Sequence, residues 1–407
     1  MSESKRNIPE LRFPEFTGEW EEKKLGEIVE FSKGKYLGKK DLSEKGVKCI
    51  LYGELYTKYG PIITDIYSST NADKKLLKEG KYNQILIPSS GETSVDIATA
   101  SSIEFDNEFY IGGDINILEP KIDKGTFISL SLNGVNKLNL SKYAQGKSVV
   151  HIYNNDIKKL KISMAVELEE QEKIGTFFSK LDRLIELEEK KYELLEQQKR
   201  GYMQKIFSQE LRFKDENGNA FKEWKNTNFN YFMSEPDNLE KGNNLLKDQL
   251  LTVKLQGNGV SKANINRALK MGATVYYKRF AGQFIYGKQN FFNGALGIVP
   301  KSLDNFYSSG DVPALNIDYS KIDRYYFINY ISREDYYRKK EAFSTGTGSK
   351  RIHEKTLLGF DIMLPSVEEQ HKIGAFFNRL DTFIEKQEDK VELLKQRKQG
   401  FLQKMFV

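Results

Sequence analysis

The sequence predicts an α+β protein in which two mixed α/β bodies are separated by two long helices that form an antiparallel coiled coil. Three observations carry this prediction. Residues 169–207 and 368–406 are nearly the same segment, each follows a body of similar length, and each has apolar residues at helical spacing. The copies lie 199 residues apart in a chain of 407. The sequence therefore predicts two copies of one unit, each a body followed by a long helix, related by pseudo-twofold symmetry.

The helical segments are far more alike than the bodies. EEQEKIGTFFSKLDRLIELEEKKYELLEQQKRGYMQKIF and EEQHKIGAFFNRLDTFIEKQEDKVELLKQRKQGFLQKMF are identical at 23 of 39 positions without a gap. The bodies share only short markers, which include ELRF at 10–13 and 210–213, a lone tryptophan after each ELRF, and a glycine turn at 145–148 and 346–349. This contrast indicates a duplication after which the bodies diverged while the spacer stayed constant.

An apolar stripe with alternating spacings of three and four runs along each segment, as in the seam of a coiled coil. Glu188 and Lys199 interrupt the first stripe, and Gln387 and Lys398 interrupt the second. Two such helices in one chain pair most simply with each other, although a dimerisation coiled coil or an ordinary bundle core would show the same heptads. The stripe consists of Ile174, Phe178, Leu181, Ile185, Tyr192, Leu195, Tyr202 and Ile206, and then of Ile373, Phe377, Leu380, Ile384, Val391, Leu394, Phe401 and Met405.

Each helical segment also contains two glycines. Gly175 and Gly374 lie about one turn from the start, and Gly201 and Gly400 lie near the far end. Glycine inside a helix costs about 1 kcal/mol relative to alanine. We therefore expect close packing or a local kink at these positions.

The predicted boundaries are 1–168 for the first body, 169–207 for the first helix, 208–367 for the second body and 368–407 for the second helix. Short apolar runs between dense turn residues are typical of mixed domains with short strands. A basic helix is predicted at 331–342. Strands are predicted at 84–88, 115–118, 273–277, 283–286 and 295–299.

Composition limits the classes of protein to which the chain can belong. It is 39% hydrophobic and 29% charged, and no run approaches the roughly 20 apolar residues of a membrane span. The N-terminal sequence MSESKRNIPELRF has no apolar signal core, so we expect a cytoplasmic location. The single cysteine, Cys49, excludes internal disulfides and thiolate clusters, and we expect it to be a small buried apolar residue.

The net charge of +6 comes from the bodies. The two helical segments together hold sixteen Lys/Arg and sixteen Asp/Glu, so the basic excess lies outside them. An electropositive surface on the bodies makes nucleic acid a reasonable partner, although such a charge is also common among proteins that bind none.

Several loops of the bodies combine lysine or arginine with amide and aromatic side chains beside glycine turns. Such loops can contact phosphates and base edges at once, although an ordinary solvated turn has the same composition. The candidates for DNA contact in the first body are Lys33, Lys35, Tyr36, Lys39, Ser90 and Lys147. The candidates in the second body are Lys278, Arg279, Lys288, Gln289, Asn290, Lys350 and Arg351.

Motifs for catalysis are missing from the sequence. The segment QGKS at 145–148 lacks the first glycine of a phosphate-binding loop, because position 141 is Ser141. No two prolines are adjacent, which excludes the Pro-Pro-aromatic loop of amino-methyltransferases. Glu-x-Lys occurrences such as Glu188–Lys190 lie on predicted helix faces and not on a strand after a Pro-Asp, so no nuclease centre is visible. The histidines at 151, 353 and 371 have no metal-ligand spacing. The sequence therefore predicts a chain with no catalytic centre and no metal of its own.

Two diverged bodies, each followed by a glycine turn and then by a Glu-Glu-Gln-x-Lys-Ile-Gly…Phe-Phe…Leu-Asp…Ile helix, resemble the specificity (S) subunit of Type I restriction–modification systems. The resemblance covers the whole chain, and it is specific in the helices and architectural in the bodies. One departure is Ala-Val-Glu at 165–167, where the second helix is preceded by the more typical Leu-Pro-Ser. The resemblance implies that each body is a target recognition domain for one half of a bipartite DNA sequence, and that the helices set the gap between the halves.

The resemblance also implies the partners, which would be double-stranded DNA, two methyltransferase subunits and two restriction–translocase subunits, with no membrane. S-adenosylmethionine, ATP and magnesium would belong to those subunits. Adenine methylation and DNA cleavage would therefore be their activities, and this chain would not itself be an enzyme. The helix residues implied to dock the methyltransferase subunits are Ile174, Phe177, Phe178, Leu181, Ile373, Phe376, Phe377 and Leu380.

A different class of protein stays open from the sequence, namely a non-catalytic adaptor that carries two protein-binding modules on a coiled-coil strut. DNA binding that weakens steeply with salt would distinguish the two classes, because phosphate contacts release counterions. A self-sufficient methyltransferase or nuclease is disfavoured by the missing motifs.

Overall fold

The chain folds into two compact units that share the two long helices. The computed structural model describes residues 7–243, 245–264, 274–346 and 349–407. Contacts divide the chain into a first unit, Met1–Lys190 with Glu388–Val407, and a second unit, Lys191–Gln387. The first long helix, α7, is Leu168–Phe207 and the second, α11, is Val367–Lys404, so each unit contains one body and part of both helices. This architecture confirms the predicted fold class.

Among the described residues, the first body contains short helices and short strands. The helices are α1 (Leu25–Ile28), α2 (Glu54–Thr57), α3 (Ser94–Ile97), α4 (Gly125–Asn133), α5 (Lys137–Ser141) and α6 (Asn154–Ile157). The strands are β1 (Glu21–Lys24), β2 (Val29–Lys33), β3 (Leu42–Ser43), β4 (Val47–Ile50), β5 (Ile62–Ile63), β6 (Ser68–Thr70), β7 (Lys78–Glu79), β8 (Ile85–Pro88), β9 (Ser90–Gly91), β10 (Ser101–Ile103), β11 (Phe109–Ile111), β12 (Ile115–Pro120), β13 (Val150–His151) and β14 (Lys161–Met164).

Two five-stranded sheets form the framework of the first body. One has the order β2-β12-β8-β10-β5 and the other has the order β3-β6-β4-β11-β7. β8 is buried along its whole length, which explains its continuous apolar sequence ILIP. Two smaller antiparallel pairs, β1 with β14 and β13 with β9, complete the fold. β14 ends three residues before the first long helix begins, so the β1–β14 pair lies at the junction of body and helix.

The second body has fewer strands in the described residues. Its helices are α8 (Arg324–Ile331), α9 (Glu334–Tyr337) and α10 (Glu354–Leu358). Its strands are β15 (Lys225–Asn228), β16 (Met233–Ser234), β17 (Leu251–Val253), β18 (Val260–Lys262), β19 (Tyr276–Lys278), β20 (Phe284–Tyr286), β21 (Leu296–Ile298), β22 (Tyr307–Ser309), β23 (Ala314–Ile317) and β24 (Asp361–Leu364).

The topology of the second body repeats part of the first. A four-stranded sheet has the order β16-β23-β20-β21, of which β16-β23-β20 corresponds to β2-β12-β8. β15 pairs antiparallel with β24 just before the second long helix, as β1 pairs with β14 before the first. The repeat that the sequence shows clearly only in the helices therefore extends through the central strands of the bodies.

The long helices run antiparallel where they meet within each unit. In the first unit, Phe177 and Phe401 have ring centroids 5.2 Å apart. In the second unit, Tyr202 and Phe376 have centroids 5.1 Å apart, and Phe207 stacks on Phe377 at 5.7 Å. In the first unit, Phe177 meets Phe401, Asp182 meets Lys398 and Glu188 meets Lys390, so partner numbers fall as residue numbers rise. This order defines the antiparallel direction and confirms the predicted pairing. The ends of the apolar stripes join the core of each unit.

Charged side chains that interrupt the stripe form ion pairs across the seam. Such pairs at otherwise apolar positions favour one register and one orientation of the helices. The pairs are Asp182–Lys398 at 2.5 Å and Glu188–Lys390 at 2.6 Å in the first unit, and Lys199–Asp381 at 2.5 Å in the second.

The helix glycines have two different environments. A Cβ on Gly175 would lie 2.7 Å from the Thr126 hydroxyl, and a Cβ on Gly374 would lie 2.1 Å from the Asp323 carboxylate. Glycine at these two positions therefore lets each helix approach the start of a body helix, which confirms the expected close packing. Gly201 and Gly400 have no described atom within 4 Å of such a Cβ, so close packing within the chain does not explain them.

Most of the predicted elements of the bodies lie where expected. β8, β12, β20 and β21 coincide with predicted strands. The strand predicted at 273–277 begins instead at Tyr276, and residue 273 lies outside the described residues. The helix predicted at 331–342 is confirmed only in part, because α8 ends at Ile331, Arg333 has an extended backbone, and the chain is helical again in α9 and in a 3-10 helix at Arg338–Phe343. At this break the guanidinium of Arg333 lies 4.5 Å from the Tyr330 ring centroid.

None of the helices in the described ranges is both long and apolar enough to cross a membrane.

Candidate nucleic-acid interface

In the first body a hairpin at residues 145–151 lies beside the end of β8. Gln145 and His151 exchange backbone hydrogen bonds of 2.9 and 2.7 Å. Ile152 N donates to Ser89 O at 3.1 Å, and Ser89 N donates to Asp114 O at 2.6 Å. These bonds attach the hairpin to the carboxyl end of a buried central strand, so the hairpin has a rigid support.

The second body has an equivalent hairpin, which is attached by the same pattern of backbone hydrogen bonds. Thr345 and Arg351 exchange two backbone hydrogen bonds of 2.9 Å across a hairpin at 345–351, of which residues 347 and 348 lie outside the described residues. Ile352 N donates to Lys288 O at 2.9 Å, and Lys288 N donates to Asp311 O at 2.9 Å. The two bodies therefore keep one backbone scaffold here while its side chains differ.

This scaffold brings together three candidates of the first body. Lys147 is exposed in the turn of the hairpin. The Ser90 hydroxyl lies 3.1 Å from Nδ1 of His151, and Ser90 is 8% exposed, so a direct contact to DNA does not fit its position. Lys33 is exposed, and its ammonium lies 5.8 Å from the ring centroid of Tyr153.

The remaining candidates of the first body lie on the loop after β2. Lys35, Tyr36 and Lys39 are all exposed there. Tyr36 has a φ of +60° and is 62% exposed. A left-handed backbone costs a residue with a Cβ on the order of 1–2 kcal/mol, and such strain is concentrated at functional sites. The fold thus holds an aromatic ring in solvent between two lysines.

The scaffold of the second body brings together five candidates. Gln289 and Asn290 follow Lys288 directly and are exposed, while Lys350 and Arg351 lie on the neighbouring hairpin. The cationic members already have carboxylate partners, so binding an anion there would compete with those partners. The pairs are Lys288–Glu354 at 2.8 Å, Lys350–Glu341 at 2.7 Å and Arg351–Asp311 at 3.4 Å.

Lys278 and Arg279 lie elsewhere, and the structure corrects the assignment of Arg279. Its side chain is 2% exposed, and its Nε donates to the Ser308 hydroxyl at 2.6 Å. A further guanidinium nitrogen donates to Val312 O at 3.1 Å. Burial lowers the pKa of Arg279 to about 10. Arg279 therefore joins two chain segments inside the second body and does not reach a DNA phosphate. Lys278 is partly exposed and lies 3.4 Å from the carboxylate of Glu240.

Several residues on these surfaces were not predicted from the sequence. His151 and Tyr153 flank Ser90 and Lys33 in the first body, and Gln256, Asn258 and Asn293 lie beside Gln289 and Asn290 in the second. The sequence signals for the second group were the glycine-rich turn at 257–259 and the Asn-Gly turn at 293–294. Only the tertiary fold shows that this turn contacts the loop at 290–294.

Half of the eight helix residues predicted to dock partner subunits are internal. Ile174, Phe178, Ile373 and Phe377 are at most 2% exposed, and they belong to the cores of the two units. A partner cannot reach these side chains without opening a core, so the structure corrects their assignment. The other four, Phe177, Leu181, Phe376 and Leu380, are partly buried.

Within residues 7–243, 245–264, 274–346 and 349–407, no three His, Cys, Asp or Glu side chains are grouped so that they could hold a metal ion.

Comparison with known proteins bears on the origin of this architecture. The model of the Type I restriction modification DNA specificity domain matches residues 17–197 and again residues 217–396. The chain belongs to this family. Each match spans one body and most of the long helix that follows it, so the internal duplication is a duplication of the family's domain.

The chain is also similar to individual Type I specificity subunits. The specificity subunit of the Type I restriction enzyme MjaVIII from Methanocaldococcus jannaschii is 28% identical over 224 residues, which is about half the length of each chain (50% of this one and 49% of the relative). The crystal structure of a Type I restriction–modification S subunit from M. genitalium superposes with a TM-score of 0.62 at 16% identity, covering 98% of this chain and 99% of that one. The HsdS subunit from Thermoanaerobacter tengcongensis gives a TM-score of 0.45 at 15% identity over 95% and 96% of the two chains.

Proposed function

We propose that this chain is the DNA specificity subunit of a Type I restriction–modification complex. Each body reads one half of a bipartite, asymmetric DNA target. The long helices set the gap between the two half-sites. The observation that carries the proposal is the double occurrence of the family's domain, in which two bodies use one scaffold to present different side chains.

The pattern of divergence supports two half-sites of different sequence. Ser89 in the first body corresponds to Lys288 in the second, and His151 corresponds to Arg351, as the equivalent backbone hydrogen bonds show. The side chains of the loops determine which bases are contacted, whereas the backbone scaffold determines where those side chains lie on the DNA. Two bodies that share one backbone scaffold but carry different side chains on it are expected to read half-sites of different sequence, which makes the whole target asymmetric.

Catalysis in the proposed complex belongs to other subunits. Two methyltransferase subunits would supply adenine methylation with S-adenosylmethionine, and two restriction–translocase subunits would use ATP and magnesium. In this proposal the chain is not an enzyme, and it would work in the cytoplasm, where the DNA is.

The long helices still offer surface for docking the methyltransferase subunits. Leu184, Leu187 and Leu393 are 40–48% exposed in the first unit, and Leu194 and Phe383 are 49% and 59% exposed in the second. Leu184 and Phe383 occupy the same position of the repeated segment, as do Leu194 and Leu393. A repeated apolar surface suits two copies of one partner. We propose these residues for docking in place of the buried ones.

DNA binding by the chain together with its methyltransferase subunit tests the proposal. A gel shift on duplex DNA that contains the target should weaken steeply as salt rises, because lysine–phosphate contacts release counterions. Mapping of methylated adenines in cells that carry the system should give a single bipartite motif. An adaptor for proteins would show neither result, and their joint absence would refute the proposal.

Lysine variants locate the surface. Lys147→Ala and Lys35→Ala should weaken binding to all sequences alike, and each should reduce the salt slope by about one, because each lysine neutralises one phosphate. Lys161→Ala is the matched control, because Lys161 is exposed on β14, at the junction with the long helix. Equal effects of the three substitutions would contradict the placement of the interface.

A further inference from the structure

Two loops of the second body are joined backbone to backbone next to the proposed interface. One is residues 254–259, which connect β17 to β18, and the other is the turn at 290–294. Gln256 N donates to Asn293 O at 2.9 Å, and Gly257 N donates to Gly294 O at 2.8 Å. A Cβ on Gly294 would lie 2.9 Å from the Cα of Gln256, so glycine permits this contact. The two loops therefore form one continuous surface, which we call the amide surface and which includes Gln289, the residue directly before the turn.

The backbone at the centre of the amide surface is strained. Gln256 has a φ of +59°, in the left-handed region that residues with a Cβ rarely adopt. A glycine would relieve the strain, and glycines occupy the neighbouring positions 257 and 259. Glutamine at this position instead contributes an exposed side-chain amide. Strain of this kind is characteristic of functional sites.

The exposed side chains of the amide surface are mainly amides. Asn290 and Asn293 are both exposed, and Asn293 Nδ2 donates to Asn290 Oδ1 at 3.1 Å, so Nδ2 of Asn290 and Oδ1 of Asn293 are the other donor and acceptor of this pair. The amides of Gln256, Asn258 and Gln289 make no side-chain hydrogen bond within the part of the chain that the structure describes. Folding thus leaves several donor–acceptor groups available on one surface.

The chemistry of these groups selects one kind of base. Adenine presents an acceptor, N7, beside a donor, N6–H, in the major groove, and a side-chain amide pairs with both atoms. Guanine presents two acceptors there and is matched by arginine or lysine instead. Two cations close to Gln289 are already paired, since Lys288 pairs with Glu354 and Arg351 pairs with Asp311. The outward groups of the amide surface therefore match adenine better than guanine.

We propose that the amide surface is the part of the second body that determines sequence specificity. It reads at least one A·T base pair of the second half-site through the major groove, with Gln289 and the Asn290–Asn293 pair as the reading groups. Lys254, which is exposed on the same loop as Gln256, contacts the adjacent phosphate. This inference rests on the proposed function, because it assigns the bases that one recognition body reads.

Isosteric variants test the inference in the intact complex. Asn290→Asp and Gln289→Glu keep the shape of the side chain and replace a donor with an acceptor, which repels adenine N7 and accepts a hydrogen bond from cytosine N4. Each variant is expressed with its methyltransferase subunit in cells that lack other adenine methylation, and methylated motifs are mapped across the genome. Asn226→Asp is the control, because Asn226 is exposed on β15, away from both loops.

The expected result is a change confined to the second half-site. Methylation of the original motif should fall roughly 5- to 100-fold relative to motifs with a different base pair at one A·T position, while the first half-site and the gap stay the same. The unchanged first half-site shows that the variant complex is folded and assembled. The control should leave the whole motif unchanged.

Two results would overturn the inference, and they are distinguishable. If the wild-type chain gives a bipartite motif and both isosteric variants retain its second half-site in full, the amide surface does not read DNA and only this inference is wrong. If the wild-type chain directs no bipartite methylation at all, the proposed function is wrong and the inference is wrong with it.

Discussion

Arg12 and Glu170, which are 158 residues apart in the sequence, form a bidentate ion pair in which the Glu170 side chain is completely buried. The guanidinium donates to the two carboxylate oxygens at 2.7 and 2.8 Å, and the indole of Trp20 donates to the same carboxylate at 3.2 Å. The hydrogen bond to Glu170 raises the pKa of Arg12. One carboxylate on the long helix thus holds both the N-terminal ELRF motif and the tryptophan of the first body.

The second unit repeats this arrangement with Arg212, Glu369 and Trp224. The guanidinium donates to Glu369 at 3.1 and 2.8 Å, and the Trp224 indole donates at 3.1 Å. The markers that the sequence repeats on either side of the diverged bodies therefore meet in space. They attach each body to the helix that follows it.

We expect Glu170→Gln to destabilise the first unit by about 3 kcal/mol or more, because removing one charge of a buried pair leaves the other poorly compensated. Unfolding in urea, followed by tryptophan fluorescence, measures the loss. Glu169→Gln is the matched control, since Glu169 precedes Glu170 and is exposed. Similar midpoints for the two variants would show that the ion pair does not support the body.

We expect Arg279→Ala to reduce the stability of the second unit by about 1–3 kcal/mol and to leave the salt slope of DNA binding unchanged. The reason is that the substitution removes buried hydrogen bonds to Ser308 and Val312. Lys278→Ala, at the neighbouring position, controls for loss of positive charge. A lower salt slope with unchanged stability would restore Arg279 as a phosphate contact.

We expect the stability contributed by Asp361 to depend on pH. The Lys340 ammonium lies 2.5 Å from its carboxylate, and this hydrogen bond lowers the pKa of Asp361 below its ordinary value of 3.8. A lowered folded-state pKa stabilises the fold above the ordinary pKa, and the contribution disappears as pH falls through the folded-state value.

The difference in urea midpoint between the wild type and Asp361→Asn should therefore be largest near neutral pH and should shrink below about pH 4. Asp248→Asn, at an exposed position of the same body, is the control. A difference that grows towards acid pH would show that the pair with Lys340 does not lower the pKa.

We expect Cys49 to be unreactive in the folded protein. It is fully buried, and burial raises the pKa of its thiol to about 11, so the reactive thiolate is scarce at pH 8. A thiol reagent such as Ellman's reagent should label less than a tenth of the chains within minutes under native conditions. In guanidinium chloride it should label one thiol per chain, since the sequence has one cysteine. Rapid native labelling would contradict the buried position.

The helices and the central strands could be predicted because their signals are local. Heptad spacing predicted the seam, and continuous apolar runs predicted β8 and β20. The errors occurred where a distant residue determines the outcome. Arg279 reads as an exposed cation in the sequence, yet Ser308 and Val312, about 30 residues later, supply its hydrogen-bond partners. The predicted helix at 331–342 is interrupted at Arg333, whose guanidinium lies over the rings of Phe207 and Tyr330.

By itself, the sequence determined that the protein is a duplicated chain with two nearly identical helices and two diverged bodies. Repetition and helical periodicity are local properties that need no coordinates. Only the tertiary structure decided which loops share a surface, such as residues 254–259 with residues 290–294, and which seam residues are closed inside a core. Both properties depend on how segments far apart in the chain pack together. In that packing, backbone hydrogen bonds and burial determine what each side chain can contact, and the residue type alone does not.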